Sequence, residues 1–248
     1  MLADPTATHV GIAFDSVVAP PGRPRSAEDL IAAQAPLAAA AARALGVTMW
    51  PSGRYQADEV LSTVADVVAA DGAVEQVVIC TADNDFAQCV RGERIVLLDR
   101  IRGRVTDEAR VVERFGVHPG QIPELFALVG DRSDGLPGIP GWGAKSAAAV
   151  LARYPRLEDI PVDPTTWDVA VRGSDRLSAA LRERWDEAIV CRDLSVLRAD
   201  LPVRPSVDSL RWRGADRDKI EALCTRLGDA SVVERIGRWL GNSEDPPG

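Results

Sequence analysis

Residues 130–145 read Gly130-Asp131-Arg132-Ser133-Asp134-Gly135-Leu136-Pro137-Gly138-Ile139-Pro140-Gly141-Trp142-Gly143-Ala144-Lys145, and they join two kinds of chemistry. Asp131 and Asp134 stand three positions apart, a spacing that in a helical turn puts both carboxylates on one side, where a hard divalent cation can be shared. Beyond them Gly141-Trp142-Gly143 leads into Lys145, Ser146 and a run of small residues to Arg153 that reads as a helix. Glycines ahead of a helix let backbone N–H groups approach a phosphate, and the helix start adds partial positive charge. An acidic pair therefore abuts a phosphate cradle.

The pattern Gly130-Asp131-x-x-Asp134-x-Leu136-Pro137-Gly138-Ile139-Pro140-Gly141-x-Gly143-x-Lys145-x-Ala147 resembles the helix-three-turn-helix signature of the bacterial 5′-nucleases. That family comprises flap endonucleases and the 5′-3′ exonuclease domain known from DNA polymerase I. The resemblance runs from Thr8 onward and is densest between Asp83 and Ala147. It implies an α/β fold: a PIN-like domain with a mainly parallel central sheet flanked by helices, followed by a helical domain carrying the hairpin.

Composition is consistent with that expectation. The chain has 248 residues, enough to bury a large core, and its 46% hydrophobic and 27% charged content is that of a globular protein. Lys145 and Lys219 are the two lysines, so positive charge is almost all arginine. The formal charge of −8 argues against indiscriminate nucleic-acid binding but not against a nuclease, whose carboxylates are offset by bound cations. Cys80, Cys89, Cys191 and Cys224 are scattered, with His9 and His118 the two histidines, which predicts neither a zinc site nor a disulfide partner and fits a reducing cytoplasm. The N-terminus shows no secretory signal, and the alanine-rich run Leu37 to Leu45 is interrupted by Arg43 and far short of the ~20 apolar residues of a membrane span.

Along the chain, Thr8 to Phe14 reads as a buried strand ending at Asp15, the position where α/β sheets place their sites. A loop over Val17 to Arg25 leads to a helix capped by Ser26 and stopped at Gly46, which Pro36 is expected to kink or split. Family members usually carry a longer arch here that grips a 5′ end; this chain has only Arg23 and Arg25, so clamping of a single strand is not expected. The resemblance also implies an earlier strand bearing an Asp-Gly motif, for which there is no room before Thr8, through a misplaced start or through loss. Val47 to Trp50 forms a second strand, and Gln56-Ala57-Asp58-Glu59 opens a helix to about Ala70. The family pattern at that point is Glu-Ala-Asp-Asp; Asp58 and Glu59 match its acidic positions and Gln56 removes one charge.

Gln76 to Thr81 is the clearest strand, an apolar run buried on both faces, and it ends in Asp83-Asn84-Asp85, whose two carboxylates can face one cavity. Asp83, Asp85 and Gln88 match the family's Asp-x-Asp-Leu-x-Gln pattern with Phe86 for leucine. Ile95 to Asp99 is a further strand bracketed by Arg91, Arg94, Arg100, Arg102 and Arg104, read either as a solvated hairpin or as a strip that meets duplex phosphates. From Thr106 the pattern turns helical, with helices over 107–115 and 119–129. Residues 1–104 are thus expected to form the catalytic domain and 105–248 the helical DNA-binding domain. The segment from Asp193 to Pro202 is expected to return along the domain, and the tail from Asn242 to fray.

The resemblance gathers Asp15, Asp58, Glu59, Asp83, Asp85, Asp131 and Asp134 as metal ligands, with Asp83, Asp85, Asp131 and Asp134 at the catalytic centre. An all-oxygen set suits magnesium or manganese rather than zinc, and so many like charges need cations to sit together. Two ions are expected, hydrolysing DNA phosphodiester bonds in duplexes with a 5′ flap, nick or end. Gly138, Gly141, Gly143, Lys145 and Ser146 are expected to hold duplex phosphates without reading bases, potassium can occupy the hairpin, and the chain is expected to act as a monomer. Gln56 and the short arch motivate a second reading, a DNA-structure binder that has lost turnover. A third, a PIN-like ribonuclease, is disfavoured by the hairpin.

Overall fold

The structure, a computed structural model, describes Leu2, Gly53 and residues 6–15, 27–50 and 55–241. The expected loop over 17–25 with Arg23 and Arg25, the Ser26 cap and the tail from residue 242 lie outside these. The chain divides into two compact units, residues 1–71 with 200–248, and residues 72–199.

In the first unit β1 (Gly11–Ala13) pairs in parallel with β2 (Thr48–Trp50), Gly11 opposite Thr48 and Ala13 opposite Trp50. Between them runs α1 (Ala27–Ala44), which continues through Pro36 without the expected break. The strand pair is followed by α2 (Ala57–Ala69), whose Val60, Val64 and Val68 recur every four residues and are buried. The unit is completed by the helix with bounds Arg217–Leu227, named α8 below, started by the Asp216 carboxylate accepting the Lys219 N–H at 3.2 Å and ended by left-handed Gly228. Its Ile220 and Cys224 bury against Ala44 and Ala215, ringed by Leu45, Val233 and Trp239.

In the second unit β3 (Val77–Ile79) lies parallel to β4 (Ile95–Asp99), and β5 (Arg104–Thr106) closes antiparallel on β4 with Asp99 opposite Arg104. Two of the three strand pairings described are therefore parallel. β4 is central, with Ile95, Val96 and Leu97 all buried, as its unbroken apolar run requires. The helices are α3 (Glu108–Phe115), α4 (Ile122–Val129), α5 (Ala144–Arg153), α6 (Ser174–Glu183) and α7 (Trp185–Ser195), and α8 follows in chain order. Every residue from Ile122 to Leu128 is buried, because α4 is apolar nearly all round and packs between α5 and α7. Ile122 and Leu128 are each completely shielded, which by area contributes about 2 kcal/mol apiece.

Candidate metal centre and nucleic-acid interface

The chain leaves β3 through a tight turn built from its own side chains. Thr81 Oγ1 accepts the Asp83 N–H at 3.0 Å, and Asp83 Oδ1 accepts the Asp85 N–H at 3.0 Å. Asp85 opens a short 3-10 turn to Cys89 whose Phe86, Ala87 and Cys89 are buried, so the acidic turn is anchored from below. Gln88 fixes it from the side: its Nε2 donates to the Ser195 carbonyl at 2.9 Å and its Oε1 accepts the Leu197 N–H at 3.0 Å. The motif glutamine thus ties down the returning segment after α7.

A second turn brings in the other pair. Gly130 ends α4, the Leu136 N–H bonds the Asp131 carbonyl at 2.7 Å, and the Ile139 N–H bonds the Leu128 carbonyl at 2.8 Å. Asp131 Oδ1 accepts both the N–H of Ser133, at 2.8 Å, and its hydroxyl. One carboxylate oxygen from each of Asp85, Asp131 and Asp134 falls within 4.8 Å of the others. Burial lifts the Asp134 carboxyl above the ordinary aspartate range, and the charges of Asp131 and Asp83 push the same way against the Ser133 hydroxyl. Four carboxylates on two turns therefore act on one another, and a shared divalent cation would relieve that repulsion.

Asp15, Asp58 and Glu59 belong to the other unit. Just past β1, Asp15 Oδ1 accepts the Ala57 N–H at 2.8 Å, the first turn of α2. Asp58 Oδ1 accepts the Glu59 N–H at 2.6 Å, and Glu59 Oε2 turns back onto the Gln56 N–H at 3.2 Å. The strand-end aspartate and the acidic helix start, far apart in sequence, are brought together.

The glycines of the hairpin divide into two kinds. Gly130 and Gly138 both have positive φ, 78° and 66°, and a Cβ on Gly138 would stand 2.5 Å from the Gly130 nitrogen and the Val129 carbonyl carbon. These two close the base of the loop backbone to backbone. Gly143 has ordinary φ and open space around it, caps α5, and has its N–H bonded to Ser146 Oγ at 3.1 Å. Gly141, Gly143 and Lys145 are exposed, while Trp142 between them is buried and donates Nε1–H to the Leu177 carbonyl at 3.1 Å. That buried indole seats the exposed face of the hairpin on α6.

Sequence reasoning missed Ser133, Arg114 and Glu124. Arg114 Nη2 donates to Asn84 Oδ1 at 2.7 Å, reaching the acidic turn from thirty residues away, and no local pattern marks it. Glu124 is buried on α4, where its polar character in an apolar run was the one available signal.

Comparison with known proteins agrees with this fold. The family described as 5′-3′ exonuclease, N-terminal resolvase-like domain, matches residues 21–116, and that described as 5′-3′ exonuclease, C-terminal SAM fold, matches residues 117–218. DNA polymerase I of Mycobacterium bovis is 35% identical over 260 residues, which is 99% of this chain and 28% of the polymerase; that of Bacillus caldotenax is 28% identical over 261 residues, 99% of this chain and 29% of its own. The chain thus spans less than a third of the length of these relatives. Among solved structures, the catalytic core of Rad2 in complex with DNA substrate superposes with a TM-score of 0.55 at 17% identity, covering 88% of this chain and 74% of that one. The bacteriophage T5 flap endonuclease in complex with DNA and metal ions gives 0.51 at 15%, covering 85% and 69%. Both share the fold. With its strand-end aspartates, its glycine hairpin and both family domains matched in order, the chain belongs to the 5′-3′ exonuclease family of nucleases.

Proposed function

We propose that this chain is a divalent-metal-dependent 5′-3′ exonuclease or structure-specific flap endonuclease that hydrolyses DNA phosphodiester bonds. The observation that carries the reading is the approach of Asp85, Asp131 and Asp134 to within 4.8 Å, with Asp83 acting on Asp134. The donor set fits magnesium or manganese: carboxylate oxygens only, with burial and then the charges of Asp131 and Asp83 raising the Asp134 carboxyl. Asp83, Asp85, Asp131 and Asp134 would hold one ion, and Asp15, Asp58 and Glu59, in the first unit, would supply ligands for a second. When bound, such ions supply Lewis acidity toward the phosphoryl oxygens and acidify water.

The chain's own groups do the positioning. The Ser133 N–H and hydroxyl orient Asp131, and Thr81 with Asp83 holds the turn that presents Asp85. Gly141, Gly143, Lys145 and Ser146 would bind duplex phosphates at the start of α5, with Gly138 keeping the loop closed and potassium on the hairpin carbonyls. The reaction adds water oxygen to phosphorus, expels the 3′ oxygen with a proton, and leaves a 5′-phosphate. Residues 1–104 would form the catalytic domain and 105–248 the helical domain that binds the duplex and also lends Asp131 and Asp134 to the metal site, the substrate being a duplex with a 5′ flap, nick or end and the protein acting as a monomer.

Incubation with a labelled 5′-flap duplex and magnesium should give 5′-phosphorylated product, stopped by chelation and reduced at least ~10³-fold by Asp85→Ala, the loss expected for several kcal/mol of transition-state stabilisation. Cleavage that survives both Asp85→Ala and Asp131→Ala would remove the site. One observation favours a second reading, a DNA-structure binder without turnover: Gln56 stands where the family pattern has glutamate, and Glu59 is engaged by the Gln56 N–H. Tight flap binding with no product in magnesium or manganese selects it.

A further inference from the structure

Beside the acidic turn the second unit carries a concentration of positive charge. Arg104 opens β5 and Arg114 sits in the last turn of α3, which packs on β5. Burial lowers the Arg114 pKa, and the charges of Arg104 and Arg102 lie close enough to push it the same way. Arg102 is turned away into an ion pair with Asp99 at 2.8 Å. Among the described residues neither Arg104 nor Arg114 makes an ion pair, in a chain whose formal charge is −8.

The partner Arg114 does have is informative. Its Nη2 donates to the neutral amide of Asn84 at 2.7 Å, although Asn84 is flanked in sequence by Asp83 and Asp85. Its Cζ lies 4.7 Å from the centre of the Phe115 ring, which packs edge-on against Phe126, so the side chain is supported along its length. A guanidinium offers five N–H donors in a planar fork, and this one uses a single donor within the protein. Arg114, held next to a turn of carboxylates with donors unused, and Arg104 near it on β5 match an anion whose oxygens lie beside the metal ligands.

We propose that Arg104 and Arg114 form a binding site for a backbone phosphate of the DNA strand under attack, adjacent to the Asp83–Asp85 turn. The inference rests on the nuclease reading, since a phosphodiester is the anion the site takes. The arginines are positioning residues: they neutralise the phosphate that flanks the reacting one and keep the strand from being repelled by the acidic turn, with Asn84 setting the reach of Arg114.

The test uses the full chain, a labelled 5′-flap duplex, and the variants Arg104→Gln, Arg114→Gln, their double and Arg114→Lys. Binding is titrated in calcium across a salt series and cleavage is followed in magnesium. The double variant is expected to raise Kd about 10- to 100-fold, as loss of charge-assisted hydrogen bonds does, and to reduce the slope of log Kd against log salt by about one. The loss in cleavage should lie in KM rather than kcat, with Arg114→Lys recovering part of it. An unchanged salt slope in the double variant, or a fall in kcat alone, overturns the inference while leaving the nuclease reading intact. Absence of cleavage with a slope that still drops in the double variant overturns the nuclease reading instead, and absence of DNA binding in the parent protein overturns both.

Discussion

Within residues 72–199, two groups of carboxylates receive opposite treatment. Glu124 on α4 is 7% exposed, and a compensating network surrounds it: Oε2 accepts the Leu157 N–H at 3.2 Å, and Oε1 lies 3.8 Å from Arg192 Nη1. The same guanidinium reaches Glu158 at 2.5 Å and Asp193 at 3.1 Å, pulling the Glu158 carboxyl below the usual glutamate range. Asp85, Asp131 and Asp134 come within 4.8 Å of one another; Asp131 and Asp134 are linked by the Ser133 hydroxyl, and the nearby guanidinium of Arg114 meets the Asn84 amide instead of a carboxylate. A fold that can place arginine against buried carboxylates does so where the task is packing α7 against α4. At the turn after β3 the arginine beside it bonds an amide and no carboxylate, which leaves the carboxylates for a cation from outside.

Two substitutions test that contrast most severely. Asp131→Asn removes one member of the uncompensated group; cleavage of a flap duplex should fall at least ~10³-fold while thermal stability in chelator holds or rises, because repulsion is relieved. If stability drops instead, the cluster is serving the fold. Arg192→Ala does the reverse. It leaves Glu124 buried without its countercharge and should cost about 3 kcal/mol in denaturant unfolding, the loss characteristic of breaking a buried pair, with kcat retained in whatever remains folded. A change below about 1 kcal/mol, the worth of an exposed pair, would erase the distinction between the two regions.

Each half of the uncompensated group could be read in the sequence because its chemistry is local, whereas the family resemblance was what joined the halves. Asp83 and Asp85 close a turn on their own neighbours, Asp131 on Ser133, and Gly130 and Gly138 must be glycine because their backbones touch. Strand and helix positions followed for the same reason: the apolar run into β4 and the Asp107 cap with Gly116 stop around α3 are written in adjacent residues. The compensated group could not be read. Glu124 and Leu157, Arg192 and Glu158, and Gln88 and Leu197 meet through packing of α4, α7 and the segments between, across thirty or more residues. The pairing of Arg114 with Asn84 was missed likewise, since Arg114 lies outside the arginine strip around β4 and meets Asn84 across thirty residues. Pro36 erred in the other direction: a local breaker was overridden by the helix on either side of it.

The subtlest distinction between the groups lies in their response to pH. Burial, ahead of the opposing Leu157 N–H and Arg192 charge, lifts the Glu124 carboxyl above its ordinary range; burial and the neighbouring aspartates do the same to Asp134. Each folded-state pKa exceeds its unfolded value, about 4.3 for glutamate and 3.9 for aspartate. The folded state therefore holds these protons more tightly, and the stability they contribute is complete below the unfolded pKa and disappears as pH rises through the folded one. In chelator, unfolding free energy measured against pH should show this loss, and Glu124→Gln, neutral throughout and still an acceptor, should remove one part of it and Asp134→Asn another. Magnesium separates them. A cation held by Asp85, Asp131 and Asp134 favours the ionised carboxyl and reverses the Asp134 component, whereas Glu124, matched by the charges of Arg192 and Arg156, should respond no differently with the ion than without it. If magnesium shifts the Glu124 component equally, the two groups are one electrostatic system and the cation is not confined to the turn after β3.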